Sequence, residues 1–255
     1  MNTRPTVSDT KRAFYSRQTR PVNSVYRRVI EELLVEMHLL RVNDDFRYDA
    51  IYALGIVTSY DNFMEGYEPA SDREPIFAAL TAAEDLDPQH LRSNAEHLGN
   101  TVNQKTLQGL QSWVQTAVST GMGEFEGQIK AIADNPSFKY SRLFGIGLYA
   151  MLAKADEAAA ADEEKVKGYL TEMSALLGLS EEKLAKDIEL YRSNLEKVQL
   201  ARQTMAEIVA ADRKREAQRQ AEQQAKKDAH ADGAADAPTN SDSSTSDESN
   251  SAPSA

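Results

Sequence analysis

The sequence predicts an all-α protein: a multi-helix bundle with a long, partly projecting C-terminal coiled-coil helix and a disordered acidic tail. Three observations carry this reading. Apolar residues recur three and four apart in almost every segment, which draws one face along an α-helix. No stretch alternates apolar and polar residues for long enough to make a strand. Helix caps and breakers punctuate the periodic runs, so that each run has a start and a stop.

Taken in order, TVSDTKRAFYSR reads as a short capped helix with Phe14 and Tyr15 available for packing. Pro21 breaks the chain and Asn23 or Ser24 caps the next run, in which Val22, Val25, Tyr26, Val29, Ile30, Leu33, Leu34, Met37 and Leu40 form one apolar stripe. FRYDAIYALGIVTSYDNFMEGY keeps helical spacing, and its Ala50, Ala53 and Gly55 let a neighbouring helix come close. Gly66 suits a left-handed stop after it. SDRE at 71–74 has capping-box form, with Pro75 in the first turn of a helix through IFAALTAAEDL. In DPQHLRSNAEHLG, Asp87 caps, Pro88 opens and Gly99 closes. A helix from Gln104 to Ser119 carries the single tryptophan, Trp113. Glycines 121, 123 and 127 loosen the next segment, and Asn135-Pro136 ends it. FKYSRLFGIGLYAMLAKA is apolar nearly all round, as befits a helix in the middle of a bundle.

The C-terminal third is different in kind. After a helix over 162–177 and the breaker Gly178, Ser180 caps a pattern with no stop until about Gly233. Leu184, Ile188, Tyr191, Leu195, Val198, Met205 and Val209 form a heptad seam with one polar member, Arg202. The seam is expected to pair with a second copy or to fold back on 162–177, with a monomer favoured because it fades beyond Val209. An unbroken helix from Glu181 to Lys227 would run roughly 70 Å, too long for a domain this small, so it is expected to project. The implied organisation is a helical-bundle domain over 1–178, a long helix over 179–228 and a low-complexity acidic tail over 229–255.

Composition bounds the function. The 255 residues contain no cysteine, which excludes disulfides, thiol nucleophiles and cysteine-held metals. A net charge of −11 argues against nucleic acid as a general partner. Nearly uncharged apolar stretches such as Leu143–Ala153 fall short of the roughly 20 apolar residues of a membrane span, and the N-terminus has no apolar signal region. Charge is uneven, however: residues 1–41 carry eight bases against four acids. Lys11, Arg12, Arg17, Arg20, Arg27 and Arg28 therefore form a candidate surface for an acidic partner or for anionic lipid. The competing reading is a solvated face, with Arg27 and Arg28 paired to Glu31 and Glu32 one turn on, and with Glu36 solvated as well.

Catalytic and metal-site motifs do not emerge. A Glu-x-x-His pair puts two ligands on one helix face. Before His38, the third residue is Val35 and Glu36 is only two away, so no metal is expected there. His90 and His97 lie two turns apart with no carboxylate to complete a set. Gly121-Met-Gly123 lacks the Gly-Lys-Ser/Thr of a phosphate loop, and no Gly-x-Ser-x-Gly turn occurs. Neither a cofactor nor enzymatic activity is expected.

TVSDTKRAF followed by RPVNSVYRRVIEELLVEMHLL resembles the opening of the thylakoid formation protein family. The resemblance continues through YDAIYALGIVTSYDNFMEGY, IFAAL and NPSFKYSRLFGIGLYAML, covering roughly 6–210. It implies an all-helical factor in thylakoid biogenesis and photosystem II assembly and repair, with no catalytic residues to carry over. It also implies association with FtsH-type membrane proteases or photosystem II subunits. The start of the family block at residue 6, with no transit peptide ahead of it, fits a cyanobacterial member at the cytoplasmic side of the thylakoid membrane and in the cytoplasm.

Overall fold

The computed structural model describes residues 4–232, with side chains through residue 223. Among them the chain forms eleven α-helices and no strand. They are α1 (Val7–Arg17), α2 (Ser24–Arg41), α3 (Ala50–Phe63), α4 (Arg73–Ala82), α5 (Pro88–Val102), α6 (Leu107–Thr120), α7 (Glu124–Ala133), α8 (Arg142–Ala155), α9 (Glu157–Ala161), α10 (Glu163–Leu177) and α11 (Glu181–Asp232). Two compact units result, which divide the described residues between Arg202 and Gln203.

The first unit is organised on α3 and α8, which lie against each other, with α5 on α3 and α10 on α8. Both central helices are buried on nearly every side, from Ala50 to Ile56 in α3 and from Leu143 to Leu148 in α8. The expected small-residue approach is realised by one glycine from each helix. A Cβ on Gly55 would lie 1.7 Å from the Leu143 carbonyl oxygen, and one on Gly147 would lie 2.0 Å from that of Ile51. Only the missing side chains let the two backbones come together.

Capping chemistry sets most boundaries as read. Thr6 and Asp9 make a reciprocal capping box on α1, Asn23 caps α2 through the Val25 amide, and Asp87 with Pro88 opens α5. Several boundaries differ, among them the starts of α6, at Leu107 rather than Gln104, and of α8, at Arg142 rather than Phe138. The Ser71–Glu74 box does not form: residues Ala70–Asp72 make a 3-10 turn and α4 starts at Arg73. The Asp72 carboxylate is drawn instead to Arg20, whose Nη1 donates to it at 2.7 Å. Gly99 does not close α5, which runs on to Val102; the space left by its missing Cβ accommodates the Lys154 stem. The short α9, capped by Asp156, has no counterpart in the sequence reading.

The heptad seam divides along its length. Leu184, Ile188 and Tyr191 are buried, Leu195, Val198 and Arg202 half-buried. Tyr191 stacks edge-on with Phe63 of α3 and Tyr149 of α8, and its hydroxyl accepts from Asn62 at 2.7 Å. This part of the seam is thus used inside the chain's own core, on α3 and α8. In the second unit α11 runs from Gln203 to Asp232, and Met205, Ile208 and Val209 are exposed. The expected tail from 229 is helical as far as Asp232, and 233–255 lie outside the described residues. Tyr191→Phe is expected to cost about 1 kcal/mol by stranding the Asn62 amide, and Met205→Ala less than about 0.5 kcal/mol. Denaturant midpoints of the two variants check this contrast.

Candidate interaction surface

α1 lies against α2 through buried Phe14, and polar contacts tie the same pair of helices on their outer side. Lys11 Nζ is 2.9 Å from the Glu31 carboxylate, whose other oxygen accepts from the Tyr15 hydroxyl at 2.8 Å. Both contacts hold the Glu31 carboxyl below its ordinary range. The expected Arg27–Glu31 pair is therefore replaced by a bond between helices, and Arg27 has no ion pair among the described residues. Arg28 does pair with Glu32, Nε to oxygen at 3.0 Å.

The six cations of the sequence reading do not form one patch. Lys11, Arg27 and Arg28 line a groove along α2 with a volume of about 930 Å³. Arg12 pairs with Asp9, Arg17 donates to the Ala13 carbonyl, and Arg20 pins the chain to Asp72, all outside that groove. In their place the structure adds Lys139 from the turn before α8, Arg142 from the start of α8 and Lys183 from the start of α11. These came from distant segments and left no local signal in the sequence. Leu39, 60% exposed, sits among them as an apolar contact point.

Acidic residues are interleaved with these bases. Glu36 is not solvated as expected: it is largely buried beneath the groove and paired to Arg142 at 2.9 Å. Burial pushes its carboxyl upward, and the Arg142 guanidinium opposes that. Asp187 accepts from the Tyr140 hydroxyl at 3.0 Å, and Lys183 lies over the Tyr140 ring. The groove thus presents charges of both signs at fixed positions, a pattern that selects a partner by complementarity.

His38 lies on the inner side of α2, buried. Its Nδ1 shares a 2.9 Å hydrogen bond with Thr10 Oγ1 of α1 and stands 3.8 Å from the fully buried Glu84 carboxylate. Arg41 Nη1 approaches the same carboxylate at 3.6 Å and also pairs with Asp85. Burial and the nearby Arg41 charge lower the His38 pKa, so the ring stays neutral more readily than a free imidazole. The partners of His38 come from α1 and the turn after α4, not from its own helix. The clue available in sequence was its place four residues after Leu34, on the buried stripe. His90 and His97 pack against the rings of Tyr48 and Phe125. No group of three or more His, Asp or Glu residues is placed to hold a metal ion among the described residues. Nor is any helix there long and apolar enough to cross a membrane.

Fold and surface together define an all-α bundle that carries a mixed-charge groove along one helix. Residues 6–220 match the sequence profile of the family described as thylakoid formation protein, and the chain belongs to that family. Protein Thf1 of Acaryochloris marina is 50% identical over 215 residues, 84% of this chain and 87% of that protein. Protein Thf1 of Synechocystis sp. is 46% identical over 214 residues, 83% of this chain and 88% of that protein. A solved structure of Psb29 superposes with a TM-score of 0.73 at 44% identity, covering 84% of this chain and 99% of that one. Membership ties the chain to thylakoid formation in cyanobacteria.

Proposed function

We propose that the chain is a non-enzymatic accessory factor in photosystem II assembly and repair, which binds and stabilises an FtsH-type membrane protease at the cytoplasmic face of the thylakoid. The observation that carries the reading is the α2 groove, where Lys11, Arg27, Arg28, Lys139, Arg142 and Lys183 surround exposed Leu39 and alternate with Glu31, Glu32, Glu36 and Asp187. Fixed charges of both signs around an apolar contact suit a folded protein partner. Protein-mediated contact would hold the chain at the membrane peripherally.

A planar anionic lipid surface is a poorer match, because it would meet four carboxylates along with the bases. Anionic vesicles are expected to leave the chain in the supernatant at physiological salt; co-sedimentation there would restore direct lipid contact as the binding mode. The chain, immobilised and incubated with solubilised cyanobacterial thylakoids, is expected to retain FtsH subunits. Recovery of none by folded protein would overturn the proposal.

A further inference from the structure

A second cavity of about 520 Å³ lies between α2, α3, α8 and the part of α11 from Tyr191 to Ala201. Its walls are apolar: Val25, Val29 and Leu33 from one side, Leu143, Ile146 and Val198 from the other. Three turns of α-helix fill roughly 1,300 Å³, so a peptide helix is too large, whereas small-molecule sites span roughly 300–1,000 Å³.

One floor residue lacks a bond that six other helical hydroxyls make. Thr81, Thr101, Thr116, Ser119, Thr120 and Thr171 each donate their hydroxyl to the carbonyl four residues back. Such a bond is the usual way for a helical hydroxyl to satisfy itself. Ser59, on α3 and fully buried, lines this cavity, and its Oγ has no partner. An orphaned hydroxyl in an apolar floor calls for an oxygen brought by a ligand. At the mouth, Arg28 is neutralised by Glu32 and Arg142 by Glu36. Lys197 has no ion pair among the described residues and is the uncompensated charge there.

We propose that this cavity binds a single-chain carboxylate amphiphile whose chain carries an oxygen function, with the apolar chain between α2 and α8, the oxygen on Ser59 and the carboxylate at Lys197. The ligand is taken singly from solution, through a mouth that shares Arg28, Glu32, Glu36 and Arg142 with the mixed-charge groove.

Ricinoleate and oleate differ by one mid-chain hydroxyl and separate the parts of this assignment. In calorimetric titrations of the full chain below the micelle threshold, ricinoleate is expected to bind about fivefold more tightly than oleate, the worth of one neutral hydrogen bond. Ser59→Ala should erase that preference and leave oleate binding intact. Lys197→Glu, at an exposed position, should weaken both ligands by a similar factor. Val29→Phe, from a half-buried wall position, should fill the cavity and abolish binding with an unchanged unfolding midpoint. Absence of ricinoleate binding by the wild-type chain, or binding indifferent to Ser59→Ala and Lys197→Glu, would overturn the proposal.

Discussion

Gly55→Ala is expected to destabilise the first unit by about 3 kcal/mol or more, and Gly147→Ala by a similar amount. Elsewhere this substitution helps a helix interior, by up to about 1 kcal/mol. Here the sign reverses because of what the methyl group would meet. A Cβ on Gly55 falls 1.7 Å from the Leu143 carbonyl oxygen, and one on Gly147 falls 2.0 Å from the Ile51 carbonyl oxygen. Both obstacles are backbone atoms inside helices, so no rotamer change relieves either clash. The helices must part, and the buried side chains along α3 and α8 lose close packing together. Once one methyl group has separated them, the second meets less resistance. The double variant should therefore cost less than the sum of the singles. Gly168, on α10, is the control: nothing lies within 4 Å of its added Cβ, and Gly168→Ala should be neutral or stabilising. Chemical denaturation of the four variants measures all of this.

Glu84→Gln is expected to stabilise the protein above pH 7, by about 3 kcal/mol, and to change little below pH 4. The Glu84 side chain is fully buried with neither carboxylate oxygen hydrogen-bonded among the described residues. Burial pushes its pKa up to about 7, with Arg41 opposing. An unfolded glutamate releases its proton near 4.5, so the folded state holds more protons between those values. Stability from this group is complete below the unfolded pKa and is lost as pH rises through about 7. A gap of about 2.5 pKa units at 1.36 kcal/mol each gives the magnitude. Buried Asp49 is also raised to about 7 and slopes the same way, whereas His38, held neutral by burial, slopes oppositely at lower pH. Subtracting the variant's profile from the wild-type profile removes the Asp49 contribution and leaves Glu84 together with its coupling to His38 and Arg41.

Periodicity and caps made the helices legible because both are local. The stripe read from Val22 to Leu40 is the buried side of α2, and Asp87-Pro88 starts α5. Where the reading missed, a distant residue had intervened. Arg20 holds Asp72 in the turn where the Ser71–Glu74 box was expected, Lys11 and Tyr15 hold Glu31 in place of Arg27, and Arg142 draws Glu36 out of solvent. The close approach was half visible, since Gly55 was read as a contact point while its counterpart Gly147 was seen only as part of a buried helix. The groove was least legible. Half of its cations, Lys139, Arg142 and Lys183, come from the turn before α8 and the first turns of α8 and α11, about a hundred residues or more from α2, and only the fold brings them together.

The binding account turns on Arg27 and Arg28, which line the α2 groove and contribute little to stability. Arg27 has no ion pair among the described residues, and Arg28 makes one exposed pair of about 0.5 kcal/mol. The direct test is capture of FtsH subunits from solubilised thylakoids by wild type and by the Arg27→Glu, Arg28→Glu double variant, with unfolding midpoints measured alongside. The account predicts strong capture by wild type and loss of it by the variant, at midpoints equivalent to within about 1 kcal/mol. Equal capture by both proteins would contradict it.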